Sequence, residues 1–119
     1  MMFYKKNDIR VDLLQMVEHF QSEEEKDAFF EWFTLALTNV EIINKLRHVE
    51  ICHICNEFMT LKSTGEKFSS YEFRIPNGES DLIVSSAILH FISVHNLIPN
   101  KVIINALEKI KPMINKENI

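Results

Sequence analysis

Apolar positions recur at a helical spacing from the start of the chain. Ile9, Leu13, Val17 and Phe20 fall at i, i+4, i+8 and i+11, and Asp8 is placed to cap, so the pattern predicts a helix over residues 8 to 20. Ser22-Glu23-Glu24-Glu25 reads as a capping box, its glutamates favourably placed at the positive end of a helix. The helix that follows carries Phe29, Phe30, Trp32, Phe33, Leu35 and Leu37 around more than one face. Such a helix is either central to a core or turns its aromatic excess toward a partner. Asn39 is a break, and Val40 to Arg47 is read as a third, short helix.

The pattern changes at Val49. Ile51, then Phe58, Met59 and Leu61, suit two short strands around a knuckle, and Ser63-Thr64-Gly65-Glu66 is a turn. From Phe68 to Ile75, Tyr71, Phe73 and Ile75 alternate with Glu72 and Arg74, as in a half-buried strand. Pro76-Asn77-Gly78 is a second turn. Ser80 or Asp81 then caps a helix through about Val94, with Ile83, Ala87, His90 and Val94 on one face and Asn96 and Pro99 at its end. Asn100 caps a last helix to about Lys111; Pro112 stops it, and Asn115 to Ile119 is a frayed tail. The fold class expected is α+β. N-terminal helices pack on an enlarged finger-like module of zinc knuckle, short β-hairpin or three-stranded sheet, and helix, followed by a C-terminal helix. With 119 residues the chain is expected to form one domain, helical over 1–48 and metal-binding, with the final helix, over 49–111.

Composition narrows the function classes. The net charge of −4 and the scattered Lys and Arg argue against a nucleic-acid binder, whose affinity rests on phosphate neutralisation, and suit a basic protein partner. The longest apolar run, Leu82 to Val94, is interrupted by Ser85, Ser86, His90 and Ser93 and is too short to cross a bilayer. No apolar stretch of a secretory signal follows Met1 to Arg10. Two closely spaced cysteines then suit a reducing cytoplasm and a metal or redox role.

The candidate chemistry begins at "HVEICHIC", residues 48 to 55. His48-x-Glu50 with Cys52-x-x-Cys55 has the composition of a zinc-deaminase signature. That chemistry needs the two halves at two helix starts, with a Pro before the first Cys. Here only Ile51 separates Glu50 from Cys52, and no such Pro is present, so no enzyme is expected. A redox C-x-x-C opens a helix within a βαβ unit, whereas here Glu57 to Leu61 reads as strand. A metal site fits better. Cys52 and Cys55 are spaced C-x2-C, His90 and His95 are spaced H-x4-H, and 34 residues separate the pairs. A knuckle supplies two thiolates and a helix end supplies two imidazoles, completing a tetrahedron around a structural Zn²⁺. Residues five apart on an unbroken α-helix diverge by about 140°, but His95 stands just before Asn96 and Pro99, where a helix can unwind. His48 and His53 are alternative ligands, with His53 expected to point away from the metal. His19 has no evident partner and takes a surface role by default.

Cys52-x-x-Cys55, Gly65, Tyr71-Glu72-Phe73, Pro76 and Leu89-His90-Phe91-Ile92-x-x-His95-x-x-x-Pro99 resemble a family of small bacterial proteins. Their pattern is C-x-x-C-G, a short turn, an aromatic strand ending in W-P, then L-x-H-Y-[IV]-x-x-H-x-x-x-P. The resemblance covers about residues 50 to 108. Asn56 stands where the pattern has Gly, Ile75 where it has Trp, and residues 77 to 80 read as an insertion. The resemblance implies that His90 and His95 pair with Cys52 and Cys55, and it implies no catalytic activity. From the size and acidity of the chain, its lack of catalytic groups and its helical N-terminal half, the first expectation is a non-enzymatic, cytoplasmic, zinc-stabilised protein-binding module of the immunity or antitoxin type, covering a basic toxin. The second is a zinc-dependent nucleic-acid-binding or transcriptional regulator, although Leu82 to Val94 offers no Lys or Arg to a groove.

Overall fold

A hairpin in the second half of the chain organises the sheet. In the computed structural model, which describes residues 8–16, 18–45, 49–60 and 69–117 (the last helix's side chains as far as Ile110), β3 (Glu72–Asn77) runs antiparallel to β4 (Ser80–Ser85). Gly78 and Glu79 join them, and Gly78 takes φ 70° at the first loop position, where a type II′ turn needs φ above zero. Two short strands flank the hairpin. β1 (Ile9–Arg10) pairs parallel with β4, and β2 (Glu41–Ile43) pairs antiparallel with β3, giving the order β1-β4-β3-β2.

The two faces of the hairpin differ. Phe73 opposite Val84, and Ile75 opposite Leu82, join the main core. There they meet α1 (Glu23–Leu37), α2 (Ala87–Ser93) and α3 (Lys101–Glu117) through Phe33, Ile88, Ile92, Ile103 and Leu107, all fully buried. Each such side chain contributes about 1.5–3 kcal/mol relative to exposure. On the alternate register Arg74 stands opposite Ile83 and Glu41, and it is buried too. Its guanidinium binds Asp8 at 2.8 Å and Glu41 at 2.9 Å, while Glu72 beside it accepts from Arg10 at 2.7 Å and Asn44 at 2.8 Å. The strand expected to be half-buried is thus buried on both sides, its charges covered by partners rather than water. The α+β architecture holds, with the knuckle, hairpin and α2 following in the expected order.

Several elements differ from expectation. The helix expected over residues 8 to 20 does not form. Ile9 and Arg10 pair with Leu82 and Ile83, and the Asp12 carboxylate accepts from the Leu14 N–H, capping a single 3-10 turn at Leu13–Gln15. Asp8 binds Arg74 instead of capping, and His19 bridges to Leu97. Backbone groups of this segment find partners across the fold instead of within a helix: the Val11 N–H donates to Ile83 O, the Phe20 N–H to Asn96 O, and Glu18 O accepts from the Ile98 N–H. Leu13 is buried and Ile9 is half exposed, so the apolar spacing reflects intermittent core contact; Val17 lies outside the described residues.

The third helix over Val40 to Arg47 is replaced by β2, whose β-branched Ile42 and Ile43 pair with Phe73 and Glu72; residues 46–48 lie outside the described set. The first half of the helix expected from Ser80 is strand β4. Leu82-Ile83-Val84 is covered on both faces, and periodicity cannot separate such a run from a buried helix. Pro76 lies within β3, past the end of its pairing with β2, where its missing N–H has no described strand to serve. Pro112 does not stop α3, which continues to Glu117. Proline's fixed φ is close to helical, so a helix can continue through it at the cost of one hydrogen bond and crowding against the carbonyl four residues earlier. The turn at 63–66 and the start of the strand at Phe68 lie outside the described residues.

The Ser22 cap holds: its hydroxyl accepts from the Glu25 N–H at 3.1 Å. The Glu25 carboxylate takes the Gln21 N–H, one residue earlier than the usual box. The aromatic excess of α1 is mostly internal, with Phe33 buried and Phe29, Phe30 and Trp32 packed against the core.

Candidate metal centre

The knuckle is closed by backbone hydrogen bonds before any metal is considered. Ile51 bridges to Phe58, the Cys52 N–H donates to Glu57 O at 2.8 Å, and the Met59 N–H donates to Glu50 O at 2.9 Å. Among the described residues the two expected strands are this short ladder, and Leu61 lies outside them. Between its arms the Asn56 N–H returns to Cys52 O at 2.8 Å, with Asn56 at φ 59°. That left-handed backbone explains why Gly occupies the position in the resembling pattern, since Asn is the side chain that tolerates it best. Cys52 is fully buried and joins the core cluster, and Cys55 is partly exposed behind it.

The imidazoles arrive from α2, whose seven residues are all buried. Regular helix ends at Ser93. The turn after it carries His95 and ends at Asn96 with φ 59°, a common left-handed way to leave a helix. His95 Nε2 lies 3.3 Å from Cys52 Sγ, and His90 Nε2 lies 3.6 Å from Cys55 Sγ. All four ligand atoms fall within 4.8 Å of one another. A tetrahedral zinc with sulfur at about 2.3 Å and nitrogen at about 2.0–2.1 Å separates its ligand atoms by about 3.3–3.8 Å. The cross-pair distances match that spacing, and small side-chain rotations would close the rest.

The surroundings favour the ligand forms of these groups. His90 Nδ1 lies 2.8 Å from the Thr60 carbonyl and 3.1 Å from the Thr60 N–H. One ring nitrogen cannot serve both. The shorter contact, with Nδ1–H donating to the carbonyl, leaves the Nε2 lone pair facing the cluster, as in metal sites where an outer partner fixes the ring. Burial, and then the neighbouring His90, lower the His95 pKa below its ordinary value, which favours the neutral ring. Burial is also the main cause that raises the Cys55 thiol above its ordinary value, so a metal binding there displaces a proton. The Ile54 N–H points at Cys52 Sγ at 3.3 Å, ready to stabilise a thiolate.

The other candidates stand apart. His53 is exposed at the knuckle tip and outside the cluster. Glu50 accepts from the Ser70 hydroxyl at 2.7 Å and is not among the clustered side chains. His48 lies outside the described residues. Among the described residues, the four sites that C-x2-C and H-x4-H spacing singled out are the ones grouped as able to hold a metal ion. What the sequence did not signal is the surroundings: Thr60, whose carbonyl meets His90, and Lys26, which reaches the turn of His95.

No curated protein matches the chain significantly. No solved structure does either. The family described as Domain of unknown function (DUF7919) matches residues 4–108, a span that contains all four clustered residues. The chain therefore belongs to the DUF7919 family.

Proposed function

We propose that Cys52, Cys55, His90 and His95 hold one structural Zn²⁺, and that the chain is a non-enzymatic module that binds a basic protein. The observation that carries the metal reading is the convergence of the four ligand atoms within 4.8 Å. Two thiolates and two imidazoles suit zinc and fill its four positions, leaving none for a reactive water. Free cysteines fit a reducing compartment, and we place the protein in the cytoplasm. Among the described residues, no helix is long and apolar enough to cross a membrane.

Protein binding rests on surface and charge. The net charge is −4, and Glu24, Asp27 and Glu31 share the exposed side of α1. An open apolar groove lined by Leu37, Ile42, Tyr71, Phe73 and Leu89 lies beside the edge strand β2. Sheet edges with adjacent apolar grooves are a recurring way to seat a peptide or loop. The alternative, a nucleic-acid-binding regulator, would need a helix free to enter a groove, and α2 is buried throughout. The size and acidity of the chain support an immunity or antitoxin role, neutralising a basic toxin. Affinity isolation of the full chain from its native cell is expected to retain one basic protein at near-stoichiometric amount. Full recovery of the bait without a protein partner, together with a gel shift on nucleic acid that falls steeply with salt, would favour the regulator instead.

A further inference from the structure

Lys26 is a helical residue of α1, yet only 3% of it is exposed. A buried ammonium is costly unless its N–H groups are matched. Here they are: Nζ donates to Asn96 Oδ1 at 2.8 Å, to the Ser93 carbonyl at 3.3 Å and to Glu23 Oε1 at 3.3 Å. Glu23, itself largely exposed, supplies the countercharge. The two other acceptors lie on one short stretch of chain, on either side of His95.

That stretch decides where His95 points. Ser93 ends α2, so its carbonyl belongs to the negative helix end, where a cation is favourable. Asn96 holds the left-handed backbone that turns the chain out of the helix. Were the helix to continue, His95 would diverge from His90 by about 140°. The backbone bonds from Phe20 N–H to Asn96 O and from Ile98 N–H to Glu18 O fix the chain after the turn, whereas Lys26 grips it on both sides of His95.

We infer that Lys26 is a positioning residue for the metal cluster: from α1 it clamps the turn that ends α2 and so holds the His95 imidazole toward Cys52. The inference rests on the metal reading above. The test measures zinc affinity by chelator competition, and the absorption of the Co²⁺-loaded protein, on the full chain. The variants are Lys26→Met, His95→Ala and the two combined. Lys26→Met is expected to weaken zinc binding by about 10- to 100-fold, as loss of an outer-shell partner does elsewhere, and to alter the Co²⁺ spectrum. In the His95→Ala background the same substitution is expected to change affinity by less than about twofold, because no fourth ligand remains to be placed. Unchanged affinity in Lys26→Met overturns the inference. So does an equal loss in both backgrounds, which marks general destabilisation. If Lys26→Met does not fold, Asn96→Gly removes the Oδ1 acceptor while suiting the positive φ. It is expected to weaken binding in the same direction and only where His95 is present, and unchanged affinity there overturns the inference. A wild-type chain that takes up no zinc overturns the metal reading and the inference together. Zinc-binding wild type with an indifferent Lys26→Met overturns the inference alone.

Discussion

Single residues set the shape of the metal centre. Asn56 and Asn96 both hold φ 59°, one closing the knuckle and the other ending the turn that presents His95. The burial that places His95 also makes its protonation costly. Its pKa is lowered, first by burial and then by His90, so the unfolded chain takes up a proton more readily than the folded one. The contribution of His95 to stability is therefore present above its ordinary pKa of about 6.5 and is lost as pH falls below it. Bound metal would extend the effect, since protons compete for the same lone pairs. The denaturant midpoint is expected to fall between pH 7.5 and 5.5, and His95→Gln is expected to flatten that fall. An equal pH dependence in both proteins would assign it to other groups.

At the scale of elements, the outer face of the hairpin is held by charge. Arg74 and Asp8 each expose only 6% of their side chains, and Arg74 also binds Glu41. Removing one partner of a buried pair leaves the other desolvated, which costs about 3–5 kcal/mol. Arg74→Ala is expected to cost within that range, because it removes the shared partner of Asp8 and Glu41. Asp8→Ala is expected to cost less, because Arg74 keeps Glu41. Urea denaturation measures both, and the reverse order would contradict this account of the face. The same pairing explains which elements were legible in the sequence. Local chemistry marked α1, whose Ser22 cap and glutamate run act within a few residues, and it marked the knuckle and the helix end at Asn96. It could not mark β1, whose two residues are strand only because Leu82 and Ile83 lie beside them. Nor could it mark β4, where burial on both faces erased the alternation that distinguishes a strand.

Across the whole molecule, the Cys52, Cys55, His90 and His95 cluster, able to hold a metal ion, joins parts distant in sequence. The knuckle meets α2 and the turn after it through the four clustered side chains, and α2 lies against α1 within the core. The ligands were legible because metal geometry demands a few residue types at fixed spacings, C-x2-C at a turn and two histidines at a helix end. Their supports were not, because Thr60 and Lys26 act through contacts that no local pattern encodes. A closed site of this kind contributes directly to folding, since the unfolded chain has no preformed cluster. Elemental analysis of protein purified without chelator tests this central claim most directly. One zinc per chain is expected, lost along with much of the folded circular dichroism signal on chelation, depleted in Cys52→Ser and retained in His53→Ala. A folded chain that contains no zinc, and is indifferent to chelator, would contradict the account.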